Sequence, residues 1–249
     1  MEPVRIQKWL SMMGLASRRQ AEAWLKDRKI SVNGTVVTEL GLKITPGKDE
    51  IFVDGKSIGN KLPPRVYWLL NKPNQVVTSR VGDGLRTIYD LPALSHLPFL
   101  VSPAGRLDFQ TEGLLLITND GELANRLTHP KFEVPRFYRV QVRGRLSEKD
   151  EERVAKREIS FEDGPCPKIV LSFLENKNLN SKNSWYDVTV YEGRNRLVRR
   201  LFEALDFEVK RLVRYGFGPM RLPENLATGE YCELKPAEIT ALKKLVGLL

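Results

Sequence analysis

The sequence predicts an α+β protein in two parts, and three observations carry that prediction. Two short amphipathic helical patterns precede a pair of hairpin signals near the N-terminus. The stretch Gly59-Asn60-Lys61-Leu62-Pro63-Pro64 then has no periodicity, and its paired prolines disfavour both helix and sheet. Beyond it, apolar strand-like runs are interrupted by helical stretches at irregular intervals, not in repeating βαβ units. The expected boundaries are 1–60 for a small first domain, 61–65 for a linker and 66–249 for a larger second domain.

The elements follow in order. Val4, Ile6, Trp9, Leu10 and Met13 fall near helical spacing, and Gly14 is a suitable stop, so a first helix is expected over 4–13. Ser17-Arg18-Arg19-Gln20 has the form of a capping box, with Ala21, Trp24 and Leu25 as the apolar face of a second helix. Ile30-Ser31-Val32 and Thr35-Val36-Val37 flank Asn33-Gly34, the dipeptide that best tolerates positive φ in a two-residue turn. Ile51-Phe52-Val53, Asp54-Gly55 and Ile58 suggest a second hairpin.

In the second part, apolar runs at 66–70, 114–118, 137–142, 169–173 and 185–191 predict strands. Ser147-Glu148-Lys149-Asp150 marks a helix start, and Pro236 opens a final helix with Ile239, Leu242, Leu245, Val246 and Leu249 on one face. The polar segment from Glu175 to Ser184 is expected to be a mobile loop. No internal repeat or low-complexity tract is present, and sheet order is not legible from the sequence.

Composition narrows the function. Lysine and arginine number 40 against 31 acidic residues, a formal charge of +9, which favours polyanionic partners: RNA, DNA or acidic membranes. Cys166 and Cys232 match no CxxC or zinc-ligand spacing, so neither a disulfide framework nor a structural metal is expected. His96 and His129 are isolated and are read as structural. No segment approaches the ~18 apolar residues of a membrane span, and Met1-Glu2-Pro3-Val4-Arg5 lacks the apolar core of a signal peptide. A cytoplasmic protein is expected.

The first domain carries Arg5, Lys8, Arg18, Arg19, Lys26, Arg28 and Lys29 against Glu22 and Asp27. By spacing alone these charges could equally solvate helix faces. The run from Arg5-Ile6-Gln7-Lys8-Trp9-Leu10 through Ala16-Ser17-Arg18-Arg19-Gln20-Ala21 to Ile30-Ser31-Val32-Asn33-Gly34, however, resembles the S4 RNA-binding domain. That resemblance implies two helices docked on structured RNA, with Arg5, Lys8, Arg18, Arg19, Lys26 and Arg28 as phosphate contacts.

In the second domain the most informative stretch is Pro103-Ala104-Gly105-Arg106-Leu107-Asp108-Phe109-Gln110-Thr111-Glu112-Gly113, which reads as a loop entering the buried strand Leu114-Leu115-Leu116-Ile117. A Gly-Arg-Leu-Asp tetrapeptide in isolation is as compatible with a surface ion pair as with catalysis. Here it occurs in order with Asn71-Lys72-Pro73, Thr118-Asn119-Asp120-Gly121-Glu122-Leu123, Phe137-Tyr138-Arg139-Val140 and Glu192-Gly193-Arg194-Asn195-Arg196. Together these resemble the ribosomal-RNA branch of the pseudouridine synthases over nearly the whole chain. The resemblance implies a mixed, mainly antiparallel catalytic domain that isomerises uridine without metal or other cofactor.

It further implies roles for single residues. Asp108 is the catalytic carboxylate, either attacking C1′ to give a glycosyl ester, as a retaining glycosidase does, or removing the C2′ proton to give a glycal. Arg199 is its cationic partner, expected within a few Å to keep the carboxylate ionised. Its helix pattern leaves it bordering two faces, with Val198, Leu201, Phe202 and Leu205 turned to the core and Arg196, Arg200 and Glu203 on another stripe. Tyr138 stacks on the flipped base and shuttles a proton, although period-two alternation alone would pack it with Val140 and Val142.

Lys72, Arg106, Arg194, Arg196 and Arg200 are cast as RNA contacts. Gln75 stands where the family usually has glycine, which implies a different backbone in that loop, and Leu197 replaces a polar residue between the arginines. The partner implied is ribosomal RNA, 23S over 16S, in a large-subunit precursor, met by a monomer with no membrane involved. A non-catalytic RNA-binding assembly factor predicts a disrupted Asp108 motif, whereas the motif is intact; a DNA-binding protein would explain the charge but not that loop.

Overall fold

The computed structural model describes residues 2–95, 100–174 and 182–249. His96 and most of the expected mobile loop, 175–181, lie outside those residues, and Asn183 and Ser184 already belong to a strand. Two compact units result. One gathers the described residues up to Val66 with the short segments 100–102 and 119–121, and the other gathers the remainder.

The first unit contains β1 (Val4–Arg5), α1 (Ile6–Met12), α2 (Arg18–Lys26), β2 (Ile30–Val32), β3 (Thr35–Val36), β4 (Lys43–Ile44), β5 (Ile51–Val53) and β6 (Lys56–Ser57). The first helix starts at Ile6, not Val4, because Val4 and Arg5 pair with Ile44 and Lys43. Ser17 caps α2 by accepting a hydrogen bond from the Gln20 N–H at 3.2 Å, the serine half of the expected box. The turn at Asn33-Gly34 has both residues at positive φ, 50° and 79°, as does Asp54-Gly55 at 48° and 74°, so both hairpins close with the expected chemistry. Ile6, Trp9, Leu10, Ala21, Leu25 and Ile30 are fully buried between the helices and the sheet β3-β2-β5-β6. Residues 59–66 form neither helix nor strand.

The remaining elements are β7 (Tyr67–Lys72), α3 (Pro92–Ser95), β8 (Ser102–Pro103), β9 (Glu112–Thr118), α4 (Gly121–Thr128), β10 (Arg136–Arg143), α5 (Glu148–Ala155), β11 (Ser160–Phe161), β12 (Gly164–Pro165), β13 (Ile169–Leu174), β14 (Asn183–Val190), α6 (Leu197–Glu203), β15 (Val209–Phe217), β16 (Met220–Arg221), β17 (Tyr231–Glu233) and α7 (Pro236–Leu245). Most belong to one sheet, ordered β13-β14-β10-β15-β9-β7-β17, with β16 beside β15 and β8 beside β9. Along that path only β15 and β9 run parallel. The domain is therefore mixed and mainly antiparallel, as the resemblance implied.

Two apolar clusters hold this sheet. Val140, Val142, Tyr186, Val188 and Leu212 pack with Leu201 and Phe202 of α6, while Leu69, Leu114 and Leu116 pack with Leu123 and Leu127 of α4 and Leu242 of α7. The core face expected for α6 is the buried one: Val198, Leu201, Phe202 and Leu205 are all 5% exposed or less. Leu245 and Leu249, expected on the core face of the last helix, are instead 42% and 71% exposed. They lie in its last turn and beyond, where Val246 and Leu248 take the places against the apolar cluster. Strand β15 was not anticipated, since Lys210, Arg211, Arg214 and Gly216 mask its alternation, yet it lies between β10 and β9 in the sheet.

Two features of the interior set the loop that precedes β9. Gly113 pairs with Arg214 and has φ +101°; a Cβ there would lie 2.3 Å from the Arg214 carbonyl oxygen, so only glycine fits. Lys72, expected as an RNA contact, is 0% exposed and so is not on the surface. Its Nζ donates to the carbonyls of Pro73 at 2.9 Å, Thr111 at 2.8 Å and, more weakly, Phe109 at 3.5 Å. Burial pushes this ammonium down to about 8, against the pull of Asp108 and Glu112. Beside it, Gln75 takes φ 56°, the left-handed conformation glycine adopts most easily, so this residue accommodates the glycine-like backbone.

Gly113→Ala should destabilise the protein by about 3 kcal/mol or more, because overpacking and left-handed strain act together; urea denaturation checks this. For Lys72 the sign follows from the lowered folded-state value. Below pH 8 folded and unfolded chains both hold the proton, and above it the folded chain releases it first, so this group's contribution to stability rises with pH until the unfolded lysine titrates. The difference in unfolding free energy between wild type and Lys72→Met should grow by about 2 kcal/mol between pH 7.5 and 9.5, and a constant difference would overturn the burial effect.

Candidate active site

The loop from Ala104 to Thr111 is pinned at several points. Ala104 donates its N–H to Leu116, Thr78 donates its hydroxyl to the Leu107 carbonyl at 2.8 Å, Thr111 donates its N–H to the Asp108 carbonyl at 3.0 Å, and Lys72 holds the carbonyl of Thr111 from below. Gly105 turns with φ +82°, close against the Thr128 methyl. The loop is thereby fixed backbone first, which leaves the Asp108 side chain, half-buried, in the wall of a cavity of about 300 Å³.

The cavity's other walls come from the Arg136 and Tyr138 face of β10, the 192–198 segment leading into α6, and Leu212, Arg214 and Phe217 of β15. Asp108, Tyr138, Arg106, Arg194 and Arg196 are thus brought together, and Leu197 joins them as an apolar wall. Arg106 is exposed at the edge. Guanidiniums outnumber the two carboxylates, Asp108 and Glu192, so the cavity is cationic.

Arg199 is placed differently from expectation. It is 6% exposed and donates Nη2 to the Gln110 carbonyl at 2.9 Å, not to the Asp108 carboxylate. Its Nε is buried without a hydrogen-bond partner. Burial, and then Arg196, lower its pKa, while Asp108 and Glu203 act in the opposite direction. Arg196, the N-cap of α6, takes φ 50°, and the first helical turn that follows carries Arg199 to the Gln110 carbonyl. Arg199 therefore acts on Asp108 as a nearby charge and as a strut beneath its loop.

The other arginines of this segment already have carboxylate neighbours. Arg194 Nε lies 3.0 Å from Glu192, Arg196 pairs with Glu203 at 2.9 Å, and Arg200 donates to both oxygens of Asp163 at 2.8 and 3.1 Å while its guanidinium lies over the Phe161 ring. Arg200 is outside the cavity lining. In the first unit Arg5, Lys8, Arg18, Arg19, Lys26 and Arg28 are all exposed. His129 is structural, as read: its Nδ1 accepts a hydrogen bond from the Lys131 N–H at 3.1 Å.

Arg136, Glu192 and Arg214 were missed. Arg136 had a legible signal, since it occupies a core position in the alternation with Tyr138, Val140 and Val142, where an unexplained charge marks a site. Arg214 had none until β15 was recognised as a strand.

The chain's own relationships agree with this geometry. Residues 66–204 match the family model for RNA pseudouridylate synthase, and residues 4–58 match the S4 domain. The chain is 42% identical to the ribosomal large subunit pseudouridine synthase B of Bacillus subtilis (strain 168), over 97% of this chain and 96% of that protein. It is 41% identical to an uncharacterized RNA pseudouridine synthase of Aquifex aeolicus (strain VF5), over 100% and 97%. A crystal structure of a pseudouridylate synthase superposes with a TM-score of 0.65 at 30% identity, covering 96% of this chain and 99% of that one. With its loop, its cationic cavity and these matches in register, the chain belongs to the RNA pseudouridine synthase family and carries an S4 domain at its N-terminal end.

Proposed function

We propose that the protein converts a uridine of large-subunit ribosomal RNA, 23S, to pseudouridine, with Asp108 as the carboxylate that opens the C1′–N1 bond. The observation that carries this is the placement of Asp108 beside Tyr138 in the wall of a cationic cavity, on a loop held by Lys72, Thr78 and Arg199. The target nucleoside cannot react while stacked in RNA, so it enters the cavity flipped out, and Tyr138 supplies the platform against which its base stacks. Arg106, at the exposed edge, fills the space the base leaves. Arg199 holds the loop from its Gln110 carbonyl, without a direct ion pair to Asp108.

The large subunit as target is supported by the name of the Bacillus subtilis relative, which matches this chain end to end. Residues 1–60 are the docking module: Arg5, Lys8, Arg18, Arg19, Lys26 and Arg28 face solvent, where phosphates can reach them, while Arg194 and Arg196 approach RNA at the cavity. Arg200, tied to Asp163, orients the arginine segment and meets RNA only at its rim. The enzyme acts in the cytoplasm as a monomer on a precursor of the large subunit. No described helix is long and apolar enough to cross a membrane.

Pseudouridine mapping of ribosomal RNA from cells carrying wild-type protein, no protein or Asp108→Asn is expected to show one 23S site missing from both deficient strains. An unchanged map would favour a non-catalytic assembly factor, and a lost 16S site would correct the target. The double variant Arg18→Gln, Arg19→Gln should weaken RNA binding and reduce the slope of log K against log salt by about 1 to 2; an unaltered slope would remove these residues from the interface.

A further inference from the structure

Two cations in the cavity have no part in the mechanism above. Arg136 and Arg214 are 6% and 2% exposed. In the ladder between β10 and β15, Tyr138 pairs with Arg214 and Arg136 pairs with Phe217, so the two guanidiniums flank the phenol. The Phe217 ring lies 5.4 Å from one and 5.2 Å from the other. Arg136 donates Nη1 to the Val134 carbonyl at 2.9 Å, and Arg214 donates Nε to the Leu114 carbonyl at 2.8 Å.

One of their donors is left open: among the described residues the Arg214 Nη2 is buried with no hydrogen-bond partner. Glu192 is the carboxylate that acts on Arg136, but it lies 3.0 Å from Arg194. Burial pushes the Arg136 guanidinium below its ordinary value and Arg214 adds to that push, with Tyr138 and Glu192 opposing it. Two buried like charges, one with an open donor, that line the cavity with Tyr138 are complementary to an anion that arrives there.

We infer that Arg136 and Arg214 form an anion subsite that takes up the negative charge of the uracil when its bond to C1′ breaks. The inference rests on the reading of Asp108 as the carboxylate acting on a uridine. In that step the C1′–N1 electron pair leaves with the base, giving a uracil anion with charge shared among N1, O2 and O4. Asp108 either bonds to C1′, in an ester that breaks again when C5 attacks that carbon, or removes the C2′ proton and returns it to C2′ as the new bond forms. The base turns, C5 bonds to C1′, and the C5 proton is lost as N1 regains one, so the reaction is a balanced isomerisation. Charge appears on the base only after the bond begins to break, so donors fixed at its edge bind the transition state more strongly than the substrate. The other anion that RNA could bring here is a phosphodiester, whose charge is the same throughout the reaction.

The test compares Arg136→Gln, Arg214→Gln and Arg136→Lys with wild type on 23S transcripts made with uridine or wholly with 5-fluorouridine. Fluorine withdraws electrons and makes the base a better leaving group. Single-turnover formation of the C–C nucleoside is read by digestion and chromatography, and RNA affinity and thermal melting are measured alongside. On uridine the glutamine variants are expected to react about 100-fold more slowly with affinity unchanged within about two-fold, and on 5-fluorouridine the loss should shrink to about 10-fold or less. Arg136→Lys keeps a cation in place and carries the test if the glutamine variants do not melt cooperatively; it should lose about 10-fold on uridine and less on the fluorinated base.

Equal losses on both transcripts would overturn the subsite in favour of a packing role. A loss of affinity matching the loss of rate would assign the arginines to a phosphodiester instead. Wild-type protein that converts neither transcript would overturn the reading of Asp108 together with the subsite, whereas active wild type with unaffected variants overturns the subsite alone.

Discussion

At Gly113 the backbone of β9 runs so close to that of β15 that a single methyl group would come within 2.3 Å of the Arg214 carbonyl oxygen. Much of the site depends on that approach. It makes the one parallel pairing in the path of the central sheet, joins the two apolar clusters across the β15–β9 seam, and fixes where the loop ending in β9 begins. Because Gly113 pairs with Arg214 and Arg214 with Tyr138, the same seam brings the Asp108 loop and the Tyr138 strand to one cavity.

Around the cavity, backbone carbonyls organise the buried cations. Lys72, Arg136, Arg199 and Arg214 each donate to main-chain oxygens, at Thr111, Val134, Gln110 and Leu114 respectively. A carbonyl stabilises a buried cation only in part, so these groups keep an outward field, and burial lowers the pKa values of Lys72, Arg136 and Arg199. The arrangement suits a site that receives a polyanion. Direct pairing of Arg199 with Asp108 would satisfy the aspartate before substrate arrives, while a strut under the loop leaves the carboxylate facing the cavity.

The first unit is simpler in its physics. Its helices turn Ile6, Trp9, Leu10, Ala21 and Leu25 inward, so the basic residues between them have only solvent to face. A phosphate backbone can meet such a surface without base-specific contacts.

The sequence by itself determined the local elements and the chemistry of the loop. Positive-φ dipeptides placed the hairpins, helical spacing placed the buried faces of α1, α2 and α6, and the motif around Asp108 marked the loop that lines the cavity. These are short-range properties, set by sterics and periodicity within a few residues. Tertiary structure alone decided the rest: that Lys72 lies inside, that Arg199 supports a loop carbonyl, and that a basic stretch around Arg214 is an interior strand. A charged side chain reads as surface until the fold supplies buried carbonyls to receive it, and those come from β9 and the loop before it, 39 to 100 residues away in sequence.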